Sequence, residues 1–417
     1  MASSSFAEVS LGEIADFRNG KAISPEKYTP IGKHPVFGSN GQIASSDEVL
    51  YPEPAVVIGR VGAYCGCVHY VPRASWVTDN AIIALPKDGN DLRYLFYLLG
   101  SLELQRTAIG SAQPLMTQGG LKVLRTKAPP LAEQKAIASI LGALDDKIEL
   151  NRRMNATLEV MARALFQSWF VDFDPVRAKL DGRKPEGLDK ATAALFPDAF
   201  EESSLGPVPK GWNAARVGEV SSRIAMGPFG SRITRDNFVP DGVPVVRGGN
   251  LTKGFVDDNF VFLTETKADE LKASIARPLD IVFTHRGTLG QVGIIPIGAR
   301  YPRYIVSQSQ MLLSVDRKKL SPWAVYLFFC SPQGEAALLA NTSTTGVPAI
   351  SRPTTSLKAI SLVIPPISIS ERFNELIQPL FLQREQLALE SRTLATLRDT
   401  LLPKLLSGEL SVVNFLL

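Results

Sequence analysis

The chain has 417 residues, of which 45% are hydrophobic and 21% are charged, and its formal net charge is +4. These values are ordinary for a globular protein and allow two or three domains, each with its own core. No apolar run approaches the roughly 18 residues that a membrane span requires. Residues 1–6 lack the basic and apolar blocks of a secretory signal, so we expect a cytoplasmic protein.

Cysteine and histidine usage argues against metal sites and disulfide bonds. The chain has 3 cysteines and 3 histidines, and Cys65 and Cys67 have no second pair of ligands at zinc spacing. We therefore expect neither a metal site nor a disulfide framework. The positive net charge permits nucleic-acid binding but does not demonstrate it.

The first 130 residues contain short strand-like runs that end at glycine turns, followed by an aromatic, helix-like segment at 94–99. Gly59, Gly62 and Gly66 superficially resemble a nucleotide-binding loop. Their spacing is not that of a dinucleotide fingerprint, and a strand-like run follows them instead of a helix. We therefore interpret them as a hairpin turn, and Tyr64 within the turn is interpreted as a stacking or a core residue, with the core favoured.

Residues 131–168 are predicted to form one long helix, because apolar side chains recur at three- and four-residue steps and the segment has no proline. A narrow apolar stripe on so long a helix favours a coiled-coil partner. Asn151 and Asn155 interrupt this stripe, at positions where polar residues often fix the register. Asp145 and Asp146 are interpreted as part of a solvated face.

The second half of the chain repeats the first. Pro130 and Pro366 lie 236 positions apart, and the same offset carries the apolar positions of the first helix onto a second heptad pattern at about 369–406. Pro379 is expected to kink or restart this second helix, and Pro403 and Gly408 to mark its end. The predicted helix-pairing positions are Ile137, Leu144, Asn151, Leu158 and Leu165 in the first helix, and Phe373, Leu380, Leu387, Leu394 and Leu401 in the second.

A weaker likeness precedes each Pro-Pro pair and keeps the same order along the chain. The segments 11–14, 34–41, 57–62, 80–85 and 94–99 resemble 217–220, 243–250, 282–287, 310–315 and 323–328. The organisation is therefore a globular unit, a long helix, a second globular unit and a second long helix. A connection rich in glycine, proline and charge, between 181 and 211, joins the two copies.

The longest motifs resemble the conserved regions of one family, the specificity subunits of Type I restriction–modification systems. The segment 165–176, LFQSWFVDFDPV, resembles the central conserved region, together with Phe196-Pro197-Asp198 and LGPVPKGW at 205–212. The segment 397–408, LRDTLLPKLLSG, resembles the distal conserved region, and PPLAEQ at 129–134 resembles the junction between domain and helix. The second copy departs at this junction, where Ser368-Ile369-Ser370-Glu371 replaces the Glu-Gln pair.

The resemblance implies an α+β fold with an internal pseudo-twofold axis. Two mixed α/β target recognition domains, 1–130 and 207–366, are separated by two long antiparallel coiled-coil helices in a central region, 131–206, and a distal region, 367–417. It also implies that the chain reads a bipartite site on double-stranded DNA, docks two methyltransferase subunits and accepts a motor-nuclease subunit as an optional further partner. No catalytic residue and no cofactor are expected of such a subunit.

Two other functions remain open from the sequence, a DNA methyltransferase with fused recognition domains and a coiled-coil adaptor that binds only proteins. The chain has no phosphate-binding GxxxxGK loop and no Asn-Pro-Pro-aromatic or acidic equivalent of an adenine methyltransferase, which argues against an enzyme. Two globular units argue against a simple adaptor.

Candidate DNA contacts come from the matched glycine-rich loops and the segments before each long helix. Arg60 and Arg286 recur just before glycine turns, where a guanidinium can bridge guanine or phosphate; a turn-stabilising pair with a carboxylate is equally open. Lys122 and Lys358 align and suit a phosphate contact, and turn chemistry alone also explains several of the others. The candidates are Ser39, Asn40, Arg60, Gln113, Gln118, Lys122, Arg247, Asn250, Arg286, Thr344, Thr345, Arg352 and Lys358.

Overall fold

The computed structural model describes residues 6–87, 89–110, 114–252, 254–343 and 346–412. The chain divides into two compact units, the first formed by Met1–Asn151 with Glu390–Leu417 and the second by Arg152–Leu389. Both divisions fall inside a long helix, so each unit contains one part of each long helix. Among the described residues, no helix is both long enough and apolar enough to cross a membrane.

The first unit is built around a four-stranded antiparallel sheet and a smaller three-stranded sheet. The larger sheet has the order Ala15–Asn19, Ala81–Pro86, Ala55–Gly59 and Val68–Val71. The smaller has the order Gly41–Ser46, His34–Gly38 and Trp76–Val77, the last two parallel. Ala7–Ser10 pairs with Arg125–Ala128. The helices are Leu11–Ile14, Leu92–Ser101, Gln118–Lys122, the first part of Leu131–Phe166 and the last part of Ile367–Ser407.

The second unit repeats this plan. Its four-stranded sheet has the order Ser221–Met226, Gln310–Val315, Ile281–Thr284 and Val292–Ile294. Its five-stranded sheet has the order Phe238–Val239, Val261–Leu263, Val243–Val246, Tyr304–Val306 and Ile275–Ala276. Shorter pairs join Phe200–Ser203 to Gly206–Pro209, Asn213–Arg216 to Ser361–Ile364, and Thr342–Ser343 to Ala349–Ile350. The helices are the last part of Leu131–Phe166, Asp174–Leu180, Lys190–Leu195, Val217–Val220, Glu265–Glu270, Pro322–Phe329, Pro332–Leu339, Pro353–Ala359 and the first part of Ile367–Ser407.

The central strands of both four-stranded sheets are covered on both faces, which explains their continuous apolar sequences. Successive side chains of a strand point to opposite faces. Val56 and Ile58 therefore enter the core that includes the aromatic helix, whereas Val57 enters a second core under the smaller sheet. Ile281 and Val282 divide in the same way between two cores of the second unit.

The motif at 165–176 forms an aromatic core in the second unit. A π-helical turn, Gln167–Val171, follows the first long helix and buries Trp169 and Phe170. The ring of Trp169 packs edge-on against Phe196 at 4.9 Å, and that of Phe170 packs edge-on against Phe373 at 4.7 Å. Such aromatic pairs stabilise beyond the area that they bury, and they tie the end of the first long helix to the start of the second.

The two long helices pair antiparallel within each unit. In the first unit Arg398 donates to Asp145 at 2.7 Å, and Asn151 donates to Glu390 at 2.8 Å. In the second unit Arg384 donates to Glu159 at 3.0 Å, and Phe166 packs against Phe373. Of the predicted pairing positions, Ile137, Asn151, Leu158, Phe373 and Leu387 are buried, and Leu144, Leu165, Leu380, Leu394 and Leu401 are half-buried.

The second long helix is one uninterrupted element from Ile367 to Ser407. The prediction that it restarts at Pro379 is wrong, because Ile377 and Phe381 on either side are buried and their packing offsets the roughly 3 kcal/mol that an interior proline costs. Pro403 also lies inside the helix, which ends immediately before Gly408. Gly408 has φ 75, the left-handed conformation typical of a glycine after a helix.

Asp146 is exposed, as expected of a solvated face, but Asp145 is half-buried between two partners, so that interpretation is wrong for Asp145. Asp146 accepts two hydrogen bonds from Arg93, at 2.7 and 2.8 Å, and these bonds hold the pKa of its carboxyl below the ordinary value. Asp145 accepts from the Tyr97 hydroxyl at 2.6 Å and from Arg398. Both carboxylates therefore fasten the helix Leu92–Ser101, and Asp145 also the second long helix, to the first long helix.

Candidate nucleic-acid interface

One edge of the first unit is formed by loops that hydrogen bonds hold together. The backbone N–H of Lys21 donates to Val77 O at 2.9 Å, and that of Thr78 donates to Phe37 O at 2.9 Å. The backbone N–H of Gly62 reaches Pro114 O at 3.0 Å. We call the converging segments 19–21, 38–41, 59–66, 78–80 and 114–118 the first loop edge.

Two candidate side chains at this edge bind backbone of the unit itself. Ser39 Oγ donates to Asn80 O at 2.6 Å and accepts from the backbone N–H of Val61 at 3.3 Å. Arg60 Nη1 donates to Asp79 O at 3.0 Å, so its partner is a carbonyl and not the carboxylate considered from the sequence. Both residues therefore connect neighbouring loops, and Asn40 in the same turn is left exposed.

Gln118 and Lys122 lie at opposite ends of one short helix. In the orientation that satisfies both amide atoms, Gln118 donates to Phe17 O at 3.0 Å and accepts from the backbone N–H of Asn19 at 3.0 Å, at the loop edge. Lys122 is exposed beside Gly12, at the other end of the strand Ala15–Asn19. The structure thus separates Lys122 from the other candidates, and Gln113 lies outside the described residues.

The second unit has an equivalent edge. The backbone N–H of Gly227 donates to Gln310 O at 2.9 Å, that of His285 donates to Ser309 O at 2.9 Å, and that of Gly287 donates to Pro348 O at 2.9 Å. We call the converging segments 227–232, 247–250, 285–291, 307–310 and 346–352 the second loop edge. Burial lowers the pKa of His285 at this edge, and its Nε2 lies 3.1 Å from Gln308 O.

A polar network lies beneath the second loop edge. Thr284 Oγ1 donates to Gln291 Oε1 at 2.9 Å and lies 3.3 Å from the amide of Gln310. The Ser307 hydroxyl donates to the side-chain carbonyl of Gln310. Gln310 and Thr284 are buried, and buried polar groups that satisfy one another fix a single arrangement of the loops above them.

Asn250 is one of these supporting residues. It is 3% exposed; its Oδ1 accepts from the backbone N–H of Arg247 at 3.0 Å, and its Nδ2 donates to Asp258 O at 2.7 Å and Val256 O at 3.3 Å. Its amide is therefore occupied by the backbone of its own unit. Arg247 is exposed, with Nη2 at 3.4 Å from Asn259 O.

The other candidate arginines and the candidate lysine of the second unit lie either at the loop edge or away from it, as the candidates of the first unit do. Arg286 is exposed, and its backbone pairs with Ala349. Arg352 is exposed and precedes the helix Pro353–Ala359 with φ 46, a left-handed conformation uncommon outside glycine. Lys358 lies beside Gly218, as Lys122 lies beside Gly12, away from the loop edge. Thr344 and Thr345 lie outside the described residues.

Sequence reasoning missed a matched pair of glycines. Gly20 and Gly227 each follow the first strand of a four-stranded sheet. A Cβ on Gly20 would lie 2.2 Å from Thr78 O, and one on Gly227 would lie 1.8 Å from Ser307 O. Only glycine permits this close approach of two backbones. A glycine recurs after corresponding strands of the two copies, and this recurrence is the sequence feature that could have identified the pair.

Sequence reasoning also misplaced one aromatic residue. Tyr64, expected in the core, is 48% exposed at the first loop edge. No group of three or more His, Cys, Asp or Glu side chains in the described ranges is arranged to hold a metal ion. The exposed residues of the two edges include Lys21, Asn40, Tyr64 and Asp79 at the first, and Phe229, Arg232, Arg247, Arg286 and Arg352 at the second.

Comparisons with known proteins agree with the repeated architecture. The family described as "Type I restriction modification DNA specificity domain" matches residues 3–160. The Type I restriction enzyme MjaIX specificity subunit of Methanocaldococcus jannaschii is 26% identical over 339 residues, which are 79% of this chain and 71% of that protein. The HindI specificity subunit of Haemophilus influenzae is 27% identical over 383 residues, 80% of this chain and 79% of that protein.

Among solved structures, the chain is similar to the S subunit of a Type-I restriction-modification system from M. genitalium, with a TM-score of 0.65. The identity is 16%, and the alignment covers 97% of each chain. This likeness shows the fold: repeated mixed α/β units and long helices. The family match at residues 3–160 and both relatives are described as specificity components of Type I restriction systems. The chain is therefore similar, in sequence over most of its length and in fold, to Type I restriction–modification DNA specificity subunits.

Proposed function

We propose that this chain is the DNA-recognition subunit of a Type I restriction–modification system, and that each loop edge reads one part of a bipartite site. The observation that carries the proposal is the recurrence of the loop edge. Corresponding loops of two sheets with the same strand order converge at one edge in each unit. A chain with two similar DNA-binding edges suits a DNA site made of two separate parts.

The contacts divide into residues that touch DNA and residues that hold the loops. Asn40 in the first unit, and Arg247, Arg286 and Arg352 in the second, are exposed and are the proposed contacts. Ser39, Arg60, Gln118 and Asn250 bind neighbouring backbone and position the loops. Lys122 and Lys358 are left as phosphate contacts outside the loop edges, which position a protein on DNA without specifying sequence.

The chain is proposed to contribute no catalysis and to dock two methyltransferase subunits on its long helices, with a motor-nuclease subunit as an optional further partner in the cytoplasm. Exposed apolar residues lie on the helix segments of each unit, Leu150 and Leu397 in the first and Val160 and Met161 in the second, and they support docking there. The relatives are named as specificity subunits of restriction enzymes, which supports a division of labour between recognition and catalysis.

The target recognition domains are proposed to span 1–130 and 207–366, with the central region 131–206 and the distal region 367–417 setting the gap between the two half-sites. Both divisions between the compact units fall inside a long helix, which supports this role. An insertion of about four residues, roughly one helical turn, in the central helix should change the gap and leave both half-sites intact. An unchanged gap in the methylated site would reject the spacing role.

The decisive experiment is to sequence DNA methylation in cells with and without this gene, and then to measure binding of the chain with its methyltransferase to the site and to a random duplex. We expect a bipartite methylated site and at least a thousandfold preference for it, the lower range of specific binding. Equal binding to both duplexes would reject DNA recognition. Methyl transfer to DNA by the purified chain alone would favour the enzyme alternative.

A further inference from the structure

Each loop edge presents one exposed aromatic side chain. Tyr64 at the first edge is 48% exposed and Phe229 at the second is 60% exposed. Among the residues that the structure describes, Phe238, at 37%, is the only other aromatic residue exposed to this degree. Leaving an aromatic ring in water forfeits the free energy of its burial, so two such rings at equivalent edges call for a ligand that covers them.

Phe229 is held rigidly by its neighbours. Gly227 lies so close to Ser307 that no Cβ fits between them, and the buried Pro228 restricts the backbone before Phe229. Gly230 follows with φ 63. The backbone before Phe229 is therefore constrained while its ring remains in solvent, and the exposed Arg232 and Arg235 lie just beyond it in the chain.

Tyr64 is held by the same kind of contact. A Cβ on Gly59 would lie 2.2 Å from Tyr64 O, and the backbone N–H of Cys67 donates to that same oxygen at 3.1 Å. Gly62 and Gly66 on either side have φ 70 and 87. As at the second edge, a glycine with no space for a side chain, here Gly59, constrains the backbone, and the ring remains exposed.

We propose that Tyr64 and Phe229 are the apolar base contacts of their two units, each packing against the 5-methyl group of a thymine. This inference rests on the proposed function and adds a chemical specificity to it. The thymine methyl is the one apolar group that a base presents in the major groove, and aromatic side chains contact it there. Exposed arginines at and beyond the second edge suit the phosphates around such a contact.

The test replaces each thymine of the methylated site, one at a time, by deoxyuridine, which removes only the methyl group. Binding of the chain with its methyltransferase is measured for wild type, Tyr64→Ala and Phe229→Ala. For wild type we expect one replacement in each half-site to weaken binding about three- to fivefold, the value of one buried methyl. Each variant should lose the methyl effect in one half-site only, so each is the control for the other.

Leucine variants at both positions test whether the alanine variants lose the methyl effect only because they misfold. An apolar side chain of intermediate size should retain part of that effect. A half-site without a thymine, or methyl effects that are the same in wild type and both alanine variants, would overturn this inference. In that case the preference for the site over a random duplex would remain. Loss of that preference in the wild type would reject the proposed function itself, so the two failures are distinguishable.

Discussion

Gln134 accepts a hydrogen bond from the backbone N–H of Asp91 at 2.9 Å, and this bond fastens the start of the first long helix to the N-terminus of the helix Leu92–Ser101. The second unit makes the equivalent contact with a different side chain, since Ser370 Oγ accepts from the backbone N–H of Ser321 at 2.8 Å. The departure of the second junction from the Glu-Gln motif therefore preserves the bond to the helix N-terminus.

Gln134 makes two further bonds, and its removal should be costly. Its Nε2 donates to Asn90 Oδ1 and to Pro129 O, both at 2.9 Å, and the side chain is 2% exposed. Gln134→Ala should lower the free energy of unfolding by about 1–3 kcal/mol, since buried partners lose their bonds. Protection of the amides of Leu92–Ser101 from hydrogen exchange measures this effect. The exposed neighbour Lys135→Ala should stay within about 0.5 kcal/mol, and an equal loss in both variants would contradict the prediction.

Replacing Gly142 by alanine should change the melting temperature in opposite directions in the wild type and in an Arg93→Ala variant. Alanine in a helix interior ordinarily stabilises by about 1 kcal/mol over glycine. Here a Cβ would lie 2.7 Å from Arg93 Cζ, whose guanidinium donates to Gly142 O at 3.0 Å and to Asp146. Gly142→Ala should therefore lower the melting temperature in the wild type and raise it in an Arg93→Ala background. The same sign in both backgrounds would show that Arg93 moves aside without cost.

Asn151 stabilises the helix pair less than leucine would. It is 0% exposed, its Nδ2 donates to Glu390, and its Oδ1 is buried without a partner among the described residues. The second copy has Leu387 at the matching heptad position. Asn151→Leu should raise stability by about 1 kcal/mol, because a buried polar atom without a hydrogen bond is costly. Thermal melting checks this prediction. Asn151→Ala leaves a gap between the helices and should lower the melting temperature instead.

Alanine substitutions at Asn250 and Arg286 should distinguish a residue that supports the loops from a residue that contacts DNA. Asn250→Ala removes three hydrogen bonds in a buried position and should lower stability by about 1–3 kcal/mol. Arg286→Ala should leave the melting temperature unchanged and weaken binding to the methylated site by about tenfold. If the contact is to phosphate, the slope of log affinity against log salt should fall by about 0.9. A lower melting temperature for Arg286→Ala with unchanged binding would reverse the two roles.

Acid should destabilise the second unit through His285. Burial lowers the pKa of this imidazole below its ordinary value of 6.5, so the unfolded chain binds the proton more tightly than the folded unit does. The stabilisation is complete above pH 6.5 and is lost as the pH falls below it, by at most about 1.4 kcal/mol per pH unit. Between pH 7.5 and pH 5.5 the melting temperature should fall less for His285→Gln than for the wild type, and an equal fall in both would contradict the prediction.

Local patterns predicted the elements well where a buried face imposes a period. The run at 80–85 is the strand Ala81–Pro86, and the aromatic segment at 323–328 is the helix Pro322–Phe329. The glycines from Gly59 to Gly66 lie in a hairpin, as expected, because the strands on either side pair antiparallel. Pro379 was misjudged because proline has a local cost that distant packing outweighs.

Local patterns did not predict the roles of the residues in the candidate site. Asn250 and Arg286 are both polar residues beside glycines, and nothing in their local sequence distinguishes them. One is buried with every amide bond satisfied by backbone, and the other is exposed. Burial depends on which loops converge above a residue, and these loops come from segments as distant as 227 and 348.

The sequence by itself determined the repeated plan, the two long helices and the family resemblance, because a heptad period, an internal offset and a motif are properties of residue order. Only the tertiary structure decided which polar side chains support the loops and which face solvent, and that the proline-containing helix continues unbroken. These outcomes depend on hydrogen bonds and packing between segments far apart in the chain, whose free energies exceed the local preferences that a sequence displays.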